Sequence, residues 1–491
     1  MNKFAGIKEY QFHEYNIHNN KGHDLSSKLI TLPQLKEKIA FKDGMTFSFH
    51  HHLRNGDDVA SHIFALIKEL DLKDITIVAS SIFPVHQPMV ELIKNGNITK
   101  VYSAYMSGPV ADCISEGYLK DGVYMHSHGA RARLIMEKEV NIDVAFIASP
   151  CVDEKGNING SEGKSACGVL GYAYADALMA AKVVAITDYI VPEVADIEIA
   201  GDNVDYVIEV DQIGDPAGIV SGTTQITKDP LGLLIAEYAA TVIEHSGLLQ
   251  DGFSFQTGAG GISLAVADEL MKVMQAKNIK GSFASGGITG YLVKMLEAGL
   301  FARLEDVQCF DLEAIASIVR NPNHHKMSAS HYANPYDKDN IVKDLDVVIL
   351  GATEIDLNYN VNVTTASNGV IMGGSGGHSD TAAGAKLAII VSKLVSSRLS
   401  VVKDKVTTIT TPGESIDVLV TEYGVAINPK HQELIAKLQK NTNLKVRTIE
   451  ELYDIALSLT NKPKSLELSA EKVGILEYRD GTLLDYLYKI K

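Results

Sequence analysis

The second half of this chain re-reads the first, and that constrains the fold more than anything else in it. IDVAFIASPCVDEKGNIN (142–159) runs in step with LDVVILGATEIDLNYNVN (345–362). DGMTFSFHHHLRNGD (43–57) does so with DGFSFQTGAGGIS (251–263), and IVASSIF (77–83) with FASGGIT (283–289). GVLGYAYADALMAAKVVAI (168–186) matches MGGSGGHSDTAAGAKLAII (372–390). Four blocks in one order at a spacing near ~205 residues point to a true repeat, since chance likeness between α/β elements would not hold the spacing. A unit of about 200 residues is a domain and not a solenoid turn. With 491 residues, and single cores ceasing to grow at about 250–300, two tandem domains are expected.

The local patterns agree. KDITIVAS, IDVAFIAS, AKVVAITD, DVVILGA and KLAIIVS read as buried parallel strands. QPMVELIKNG, YLVKMLEAG and ADALMAAK, lying between them, have helical spacing, two of them with a glycine stop. The alternation predicts doubly wound α/β layers. Residues 1–30, rich in Asn and His, read as an N-terminal extension, 31–225 as the first domain and 226–491 as the second. The Gly, Ser, Thr and Pro of GIVSGTTQITKDPLG (218–232) mark the linker. KNTNLKVRTIEELYDIALSLTNKP (440–463) reads as a helical cover, and GILEYRDGTLLDYLYKIK as a tail.

Composition narrows the function. An apolar fraction of 46% with 22% charged residues is that of a globular protein. A net charge of −16 argues against nucleic acid, which needs clustered cations. MNKFAGIKEYQFHEYN has no apolar h-region, so no secretory signal is expected, and no run spans a bilayer. Cys113, Cys151, Cys167 and Cys309 lie far apart without C-x-x-C spacing, so neither disulfides nor a structural zinc is expected and a cytoplasmic setting is the default.

A duplicated protein can use one copy as scaffold and the other for chemistry, so the positions that differ are informative. Glu354 stands where the first copy has Cys151, an offset of 354 − 151 = 203. It lies at the carboxyl end of a buried strand, where open α/β sheets bind ligands. An apolar neighbourhood is expected to raise its pKa or strip its hydration. Asp356 is expected to shape the turn that follows. The glycine-rich loops Gly258-Ala259-Gly260-Gly261 and Gly373-Gly374-Ser375-Gly376-Gly377 can aim backbone N–H groups at a thioester, a pyrophosphate or an oxyanion. Neither is a dinucleotide fingerprint or a P-loop. His50, His51 and His52 lack further ligands at metal spacing, so no metal is expected. His50, His52, Arg54, His128 and Arg131 read as polar and cationic lining for a polycarboxylate, with Ser285, Gly286 and His378 beside it. His126 and Arg133 belong to the same MHSHGARAR cluster.

GGSGGHSDTAAGA (373–385) resembles the GGxGGxxDFxxGA stretch of the CoA-transferases, TEIDLNYNVN their strand with the nucleophilic glutamate, and VTEYGVA (420–426) a further shared segment. FSFHHHLRNGD, GNINGSEGKSACG, SFQTGAGGISLAVA and EYRDGTLLD are similar to citrate lyase alpha chains, essentially over the full length. The resemblance implies two Rossmann-like CoA-transferase domains. It also implies exchange of acetate for citrate on the thioester of an acyl carrier protein. No cofactor would be bound directly; the carrier (gamma) subunit would bear a phosphoribosyl-dephospho-CoA arm, and a beta subunit would cleave citryl-carrier. An oligomer is expected. The chain departs from the covalent CoA-transferases in having Thr381 for their aromatic and His378 for an apolar or amide residue. Action on free acyl-CoA, as a transferase or a hydrolase, and a citramalate-specific equivalent are the neighbouring readings. Attack by Glu354 itself and direct attack by citrate both fit the sequence.

Overall fold

The apolar runs become strands because their residues are covered on both faces. Val144–Ser149 and Val347–Leu350 are buried at every position, which a strand with one wet face could not be. The computed structural model describes residues 28–220, 224–460 and 468–491. The expected N-terminal extension falls outside them but for residues 28–30.

The first sheet runs, edge to edge, Tyr206–Glu209, Lys182–Thr187, Val144–Ser149, Thr46–Phe49, Ile75–Ala79, Ile98–Ser103, Val123–Met125, Lys472–Glu477 and Leu483–Tyr488. All neighbours are parallel except the last pair. The second sheet runs His324–Lys326, Phe301–Cys309, Gly281–Ile288, Ser254–Thr257, Val347–Leu350, Leu387–Val391, Val418–Thr421, Gly424–Ile427 and Val446–Arg447. Here only the pairing of Val418–Thr421 with Gly424–Ile427 is antiparallel. In both sheets the chain enters at the centre, winds outward one way, then returns to the other side of its first strand. The order therefore reverses between Thr46–Phe49 and Val144–Ser149, and again between Ser254–Thr257 and Val347–Leu350. A crevice opens at the carboxyl ends of strands at such a reversal, because the two following loops leave in opposite directions.

Aspartates pin the strand starts. Asp143 accepts from the Thr46 N–H at 2.8 Å and Asp346 from the Ser254 N–H at 2.9 Å. Asp205 accepts from the Val183 N–H at 2.8 Å and Asp417 from the Ala388 N–H at 2.7 Å.

The last segment is not a tail. Residues 472–488 form a β-hairpin whose first strand pairs in parallel with Val123–Met125, so the end of the chain completes the first sheet. Its turn, Arg479-Asp480-Gly481, closes with Tyr478 N–H donating to the Thr482 carbonyl at 2.7 Å, and Gly481 takes φ +94°, which asks for glycine. The helical cover exists as Ile449–Leu459, opened by a Thr448–Glu451 capping box.

Candidate functional site

Glu354 opens the short strand Glu354–Asp356, three residues beyond Gly351 at the carboxyl edge of Val347–Leu350. Across this strand Glu354 is paired with Asn362, as Cys151 is with Asn159 in the first domain. The turn that follows is built by Asp356, which accepts from the Asn358 N–H at 2.9 Å, the Asn360 N–H at 3.0 Å and the Asn360 side chain at 3.1 Å. Asp153 does the same with Lys155 and Asn157.

The surroundings of Glu354 are polar, contrary to the expectation of an apolar pocket. The side chain is 1% exposed. Its Oε1 accepts from the Ser367 hydroxyl at 2.6 Å and the Thr407 hydroxyl at 3.2 Å; its Oε2 accepts from the Thr407 N–H at 2.7 Å and the Asn362 amide at 3.0 Å. The Lys403 ammonium lies 3.6 Å from Oε1. Burial alone would raise the pKa, but the Ser367, Thr407 and Asn362 donors and the Lys403 charge outweigh it and hold the carboxyl below its ordinary value. Glu354 is a carboxylate. Cys151 is the reverse: burial, with Glu162 and Asp153 nearby, pushes its thiol up to about 12, so it stays protonated.

The two glycine loops differ in kind. Gly258 follows Ser254–Thr257, the neighbour of Val347–Leu350, and donates its N–H to the Ile349 carbonyl at 3.0 Å. A Cβ on Gly258 or Gly260 would come no nearer than 3.6 Å to anything, and one on Gly351 would meet nothing within 4 Å. The Cβ positions of Gly258, Gly260 and Gly351 are therefore open, whereas one on Gly261 would lie 3.0 Å from the Gln225 carbonyl. Gly261 begins the helix Gly261–Lys277, whose N-cap Gly260 has no side chain to occupy the first amides. The 373–377 loop is crowded instead. A Cβ there would lie 2.2 Å from the Val363 carbonyl at Gly373, 2.3 Å from the Ala104 carbonyl at Gly374, and 2.3 Å from the Tyr332 hydroxyl at Gly377. The Gly373 and Gly376 N–H groups donate to the Thr364 and Ala104 carbonyls at 3.1 and 3.0 Å. Both loops were expected to offer amides to a ligand; those of Gly258, Gly373 and Gly376 are already taken.

These pieces are tied together. Gln256 donates to the Tyr332 hydroxyl at 2.8 Å, and Tyr332 packs on Gly377. Ser285 donates to Gln256 at 3.2 Å, and Gly286, at φ +103°, lets Gln256 pass. Ser285 and Gly286 thus hold Gln256 from behind. His378 bonds the Gly351 carbonyl through Nε2 at 2.9 Å and the Thr411 hydroxyl through Nδ1 at 2.8 Å. A carbonyl only accepts, so the proton is on Nε2, and burial lowers the pKa to about 4.

The 373–377 loop also reaches the carboxyl edge of the first sheet. Met106 N–H donates to the Gly373 carbonyl at 3.1 Å and His128 N–H to that of Gly376 at 2.8 Å. Asp380 accepts from the Ser127 hydroxyl at 2.7 Å and the Gly129 N–H at 2.9 Å, at the start of the helix His128–Met136. The first sheet therefore presents its histidines toward the second sheet's 373–377 loop, but not as cations. Burial lowers the pKa of His50 to about 4 and that of His128 to about 3, and holds His52 well down. His50 and His52 bond each other through their Nδ1 atoms, and the Ala148 N–H donates to His50 at 2.9 Å. His51 stacks on Tyr172 and His128 lies tilted against it, with ring centroids at 4.9 and 4.4 Å. Arg131 is not substrate lining either: it is 1% exposed, its Nη2 donates to both Asp176 oxygens at 3.0 Å and its Nη1 to the Tyr172 carbonyl at 3.1 Å. Arg133 is likewise paired with Glu139 and Glu477. Of the residues expected to meet a polycarboxylate, Arg54 and His128 are partly exposed, and of these two Arg54 alone carries a charge. Its guanidinium is flanked by the rings of Phe83 and Phe310, which follow strands of the first and second sheet, at 5.4 and 5.1 Å, and its backbone is held at φ +52°.

The sequence reading missed Ser367, Lys403, Thr407, Gln256 and Tyr332. The threonines of NVTT (362–365) and VTTITT (406–411) were the available signal: Thr364 bonds Thr410 at 2.8 Å and Thr365 bonds Thr408 at 2.9 Å beside Glu354. Among the described residues no group of three or more His, Cys, Asp or Glu is arranged for a metal, and no helix is long and apolar enough to cross a membrane. A cavity of ≈ 680 Å³ bordered by Tyr359, Ile435 and Arg447 includes neither Glu354 nor the glycine loops.

Comparison with known proteins gives these residues a context. The model of the family "Citrate lyase, alpha subunit (CitF)" matches residues 27–490. The citrate lyase alpha chain of Haemophilus influenzae is 48% identical over 466 residues, 94% of this chain and 93% of that one. That of Klebsiella pneumoniae is 46% identical, covering 92% and 89%. A Streptococcus mutans structure described as an alpha subunit of citrate lyase in complex with citrate superposes with a TM-score of 0.95 at 44% identity, over 100% of this chain and 96% of that one. A Pseudomonas malonate decarboxylase chain shares the fold at a TM-score of 0.66 and 15% identity, covering 90% and 95%.

Proposed function

The chain belongs to the citrate lyase alpha-subunit family, and from that premise we propose that its two sheets enclose a thioester-exchange site with Glu354 as the reacting acid. The activity is that of a citrate–acyl carrier protein transferase: acetyl-carrier and citrate give citryl-carrier and acetate, within citrate lyase. The observation that carries the site is the contrast between a buried, ionised Glu354 in one domain and a buried, protonated Cys151 at the matching place in the other. Thioester exchange needs a carboxylate, since only the ionised form attacks an acyl carbon.

In the order we favour, a Glu354 oxygen bonds to the acetyl carbon and the carrier thiolate leaves, giving a mixed anhydride. The thiolate returns to the glutamyl carbon and releases acetate. A citrate carboxylate repeats the two steps from the other side and regenerates Glu354. Reaching a substrate requires Glu354 to give up a donor, and Ser367 is suited to move, standing on a half-exposed turn closed by Gly369. The open space by Gly258, Gly260 and Gly351 suits the thioester, and the amides of Ala259, Gly260 and Gly261 suit the oxyanion, each well-aimed donor being worth about 3–4 kcal/mol. Arg54 suits a citrate carboxylate, and its clamping between the domains supports a site spanning both. The thioester arm belongs to a separate carrier (gamma) subunit as its phosphoribosyl-dephospho-CoA group, and cleavage of citryl-carrier to a beta subunit.

We also read the two domains as copies of one ancestor. Support comes from the shared strand order and from the paired aspartates: Asp143 with Asp346, Asp153 with Asp356, and Asp205 with Asp417.

The test incubates the purified chain with acetyl-carrier and citrate and follows the mass of the carrier. The proposal expects citryl-carrier, with acetyl-CoA a much poorer donor and citramalate a poorer acceptor than citrate. Preference for free acetyl-CoA would overturn it. Borohydride reduction after acetyl-carrier treatment separates the orders of events. A reduced Glu354 supports covalent attack, and an intact one after full turnover assigns the attack to citrate itself.

A further inference from the structure

Lys403 lies in a stretch, SVVKDK, that carries no motif, yet it is the charged group beside Glu354. It is buried, on the short strand Val402–Lys403 that pairs with Ile355–Asp356, and its ammonium sits 3.6 Å from Glu354 Oε1. An ammonium taken out of water is costly unless a carboxylate meets it, and Glu354 is the carboxylate recorded within ion-pair range of it among the described residues. Ile449–Leu459, packed on the Lys403 strand, carries Glu450, Glu451, Tyr453 and Asp454, of which Glu451 accepts from the Thr448 N–H at 2.9 Å; the titratable groups on the remaining surrounding elements have other partners. Asp356 holds its own turn and accepts from the Val406 N–H at 3.4 Å. His378 is neutral and bonded to Gly351 and Thr411. Asp485, from the C-terminal hairpin, accepts from the Ile409 N–H at 3.0 Å. Asp404 and Lys405 are exposed, and Asp404 accepts from the Lys405 N–H at 2.9 Å.

We propose that Lys403 is a positioning residue for the exchange reaction: its sealed ammonium keeps Glu354 charged and fixes Oε1 toward the strand it lies on, while touching neither thioester nor citrate. The inference rests on Glu354 being the reacting acid. The direction of the Glu354 shift fits it, the Lys403 charge being one of the influences that overcome burial.

The test is the pH dependence of exchange in the full chain, with acetyl-carrier as donor, for wild type, Lys403→Met, Lys403→Gln and Lys403→Arg. Loss of an adjacent opposite charge raises a carboxyl pKa by about 1–3 units, so the acid limb of the Met and Gln variants moves up by about that much while KM for citrate holds. The Arg variant, which keeps the charge, keeps the wild-type limb. A folded Met or Gln variant with an unmoved limb overturns the proposal. So does an Arg variant displaced as far as a neutral one, a result that needs neither neutral variant to fold. Glu354→Gln run alongside separates the two claims. If it is inactive while the Lys403 limbs stay put, only the role of Lys403 falls; if it exchanges at the wild-type rate, the reading beneath falls too.

Discussion

Position 354 and position 151 occupy the same place in two similar frames, and their chemistry diverges because of what surrounds them. The Glu/Cys difference was legible from the matched sequence blocks; the ionisation of Glu354 was not, because its donors come from residues 362, 367 and 407 and its counter-charge from 403, and sequence distance hid them. The sign of the resulting pH effect follows. A carboxyl whose folded pKa is lowered adds stability that is present above its unfolded value, near ~4.3, and is lost as pH falls through the folded value. Urea unfolding should therefore find wild type more stable than Glu354→Gln at pH 7, with the gap closing below about pH 4. Ser367→Ala removes a 2.6 Å bond from a half-exposed turn; its acid limb for exchange should move upward without unfolding the protein. Arg forks suit carboxylates, which makes Arg131 a candidate for substrate lining, but its Nη2 is spent on Asp176 and its Nη1 on the Tyr172 carbonyl. Arg131→Met alone should cost about 3–5 kcal/mol by leaving Asp176 buried and unpaired, and Arg131→Met with Asp176→Leu should recover much of it in thermal denaturation.

At the scale of elements, the parallel strands were readable from unbroken apolar runs, and the helices between them from their spacing and glycine stops. The glycine loops were readable as loops, though not as two different devices. Glycine at 258 and 260 leaves room; glycine at 373, 374 and 377 lets other parts of the protein press in, and only coordinates separate those uses. Gly377→Ala should lower both thermal stability and exchange, because its Cβ would sit 2.3 Å from the Tyr332 hydroxyl. Adding Tyr332→Phe removes that oxygen, so the double variant should be more stable than the sum of the single changes, a coupling that a double-mutant cycle measures directly.

For the whole molecule, the matching sequence blocks led to an expectation of two domains and said nothing of how the two sheets meet. Carboxyl edges face one another because the 373–377 loop bonds Ala104, Met106 and His128, and no local pattern encodes such long-range contacts. The C-terminal hairpin is the clearest instance. Its Arg-Asp-Gly turn between apolar stretches could have been read as a hairpin, but the strand it would join lies some three hundred and fifty residues earlier, at Val123–Met125. Arg479 in that turn donates to the Ala333 carbonyl at 2.9 Å and lies 3.4 Å from Asp380, so the chain end braces the second domain as well. The measurement that bears most directly on the account is the exchange rate of purified Glu354→Gln, with circular dichroism matched to wild type. With the reacting carboxylate gone, the folded protein should convert acetyl-carrier to citryl-carrier at least about 10³-fold more slowly. A folded variant exchanging at the wild-type rate would contradict the account.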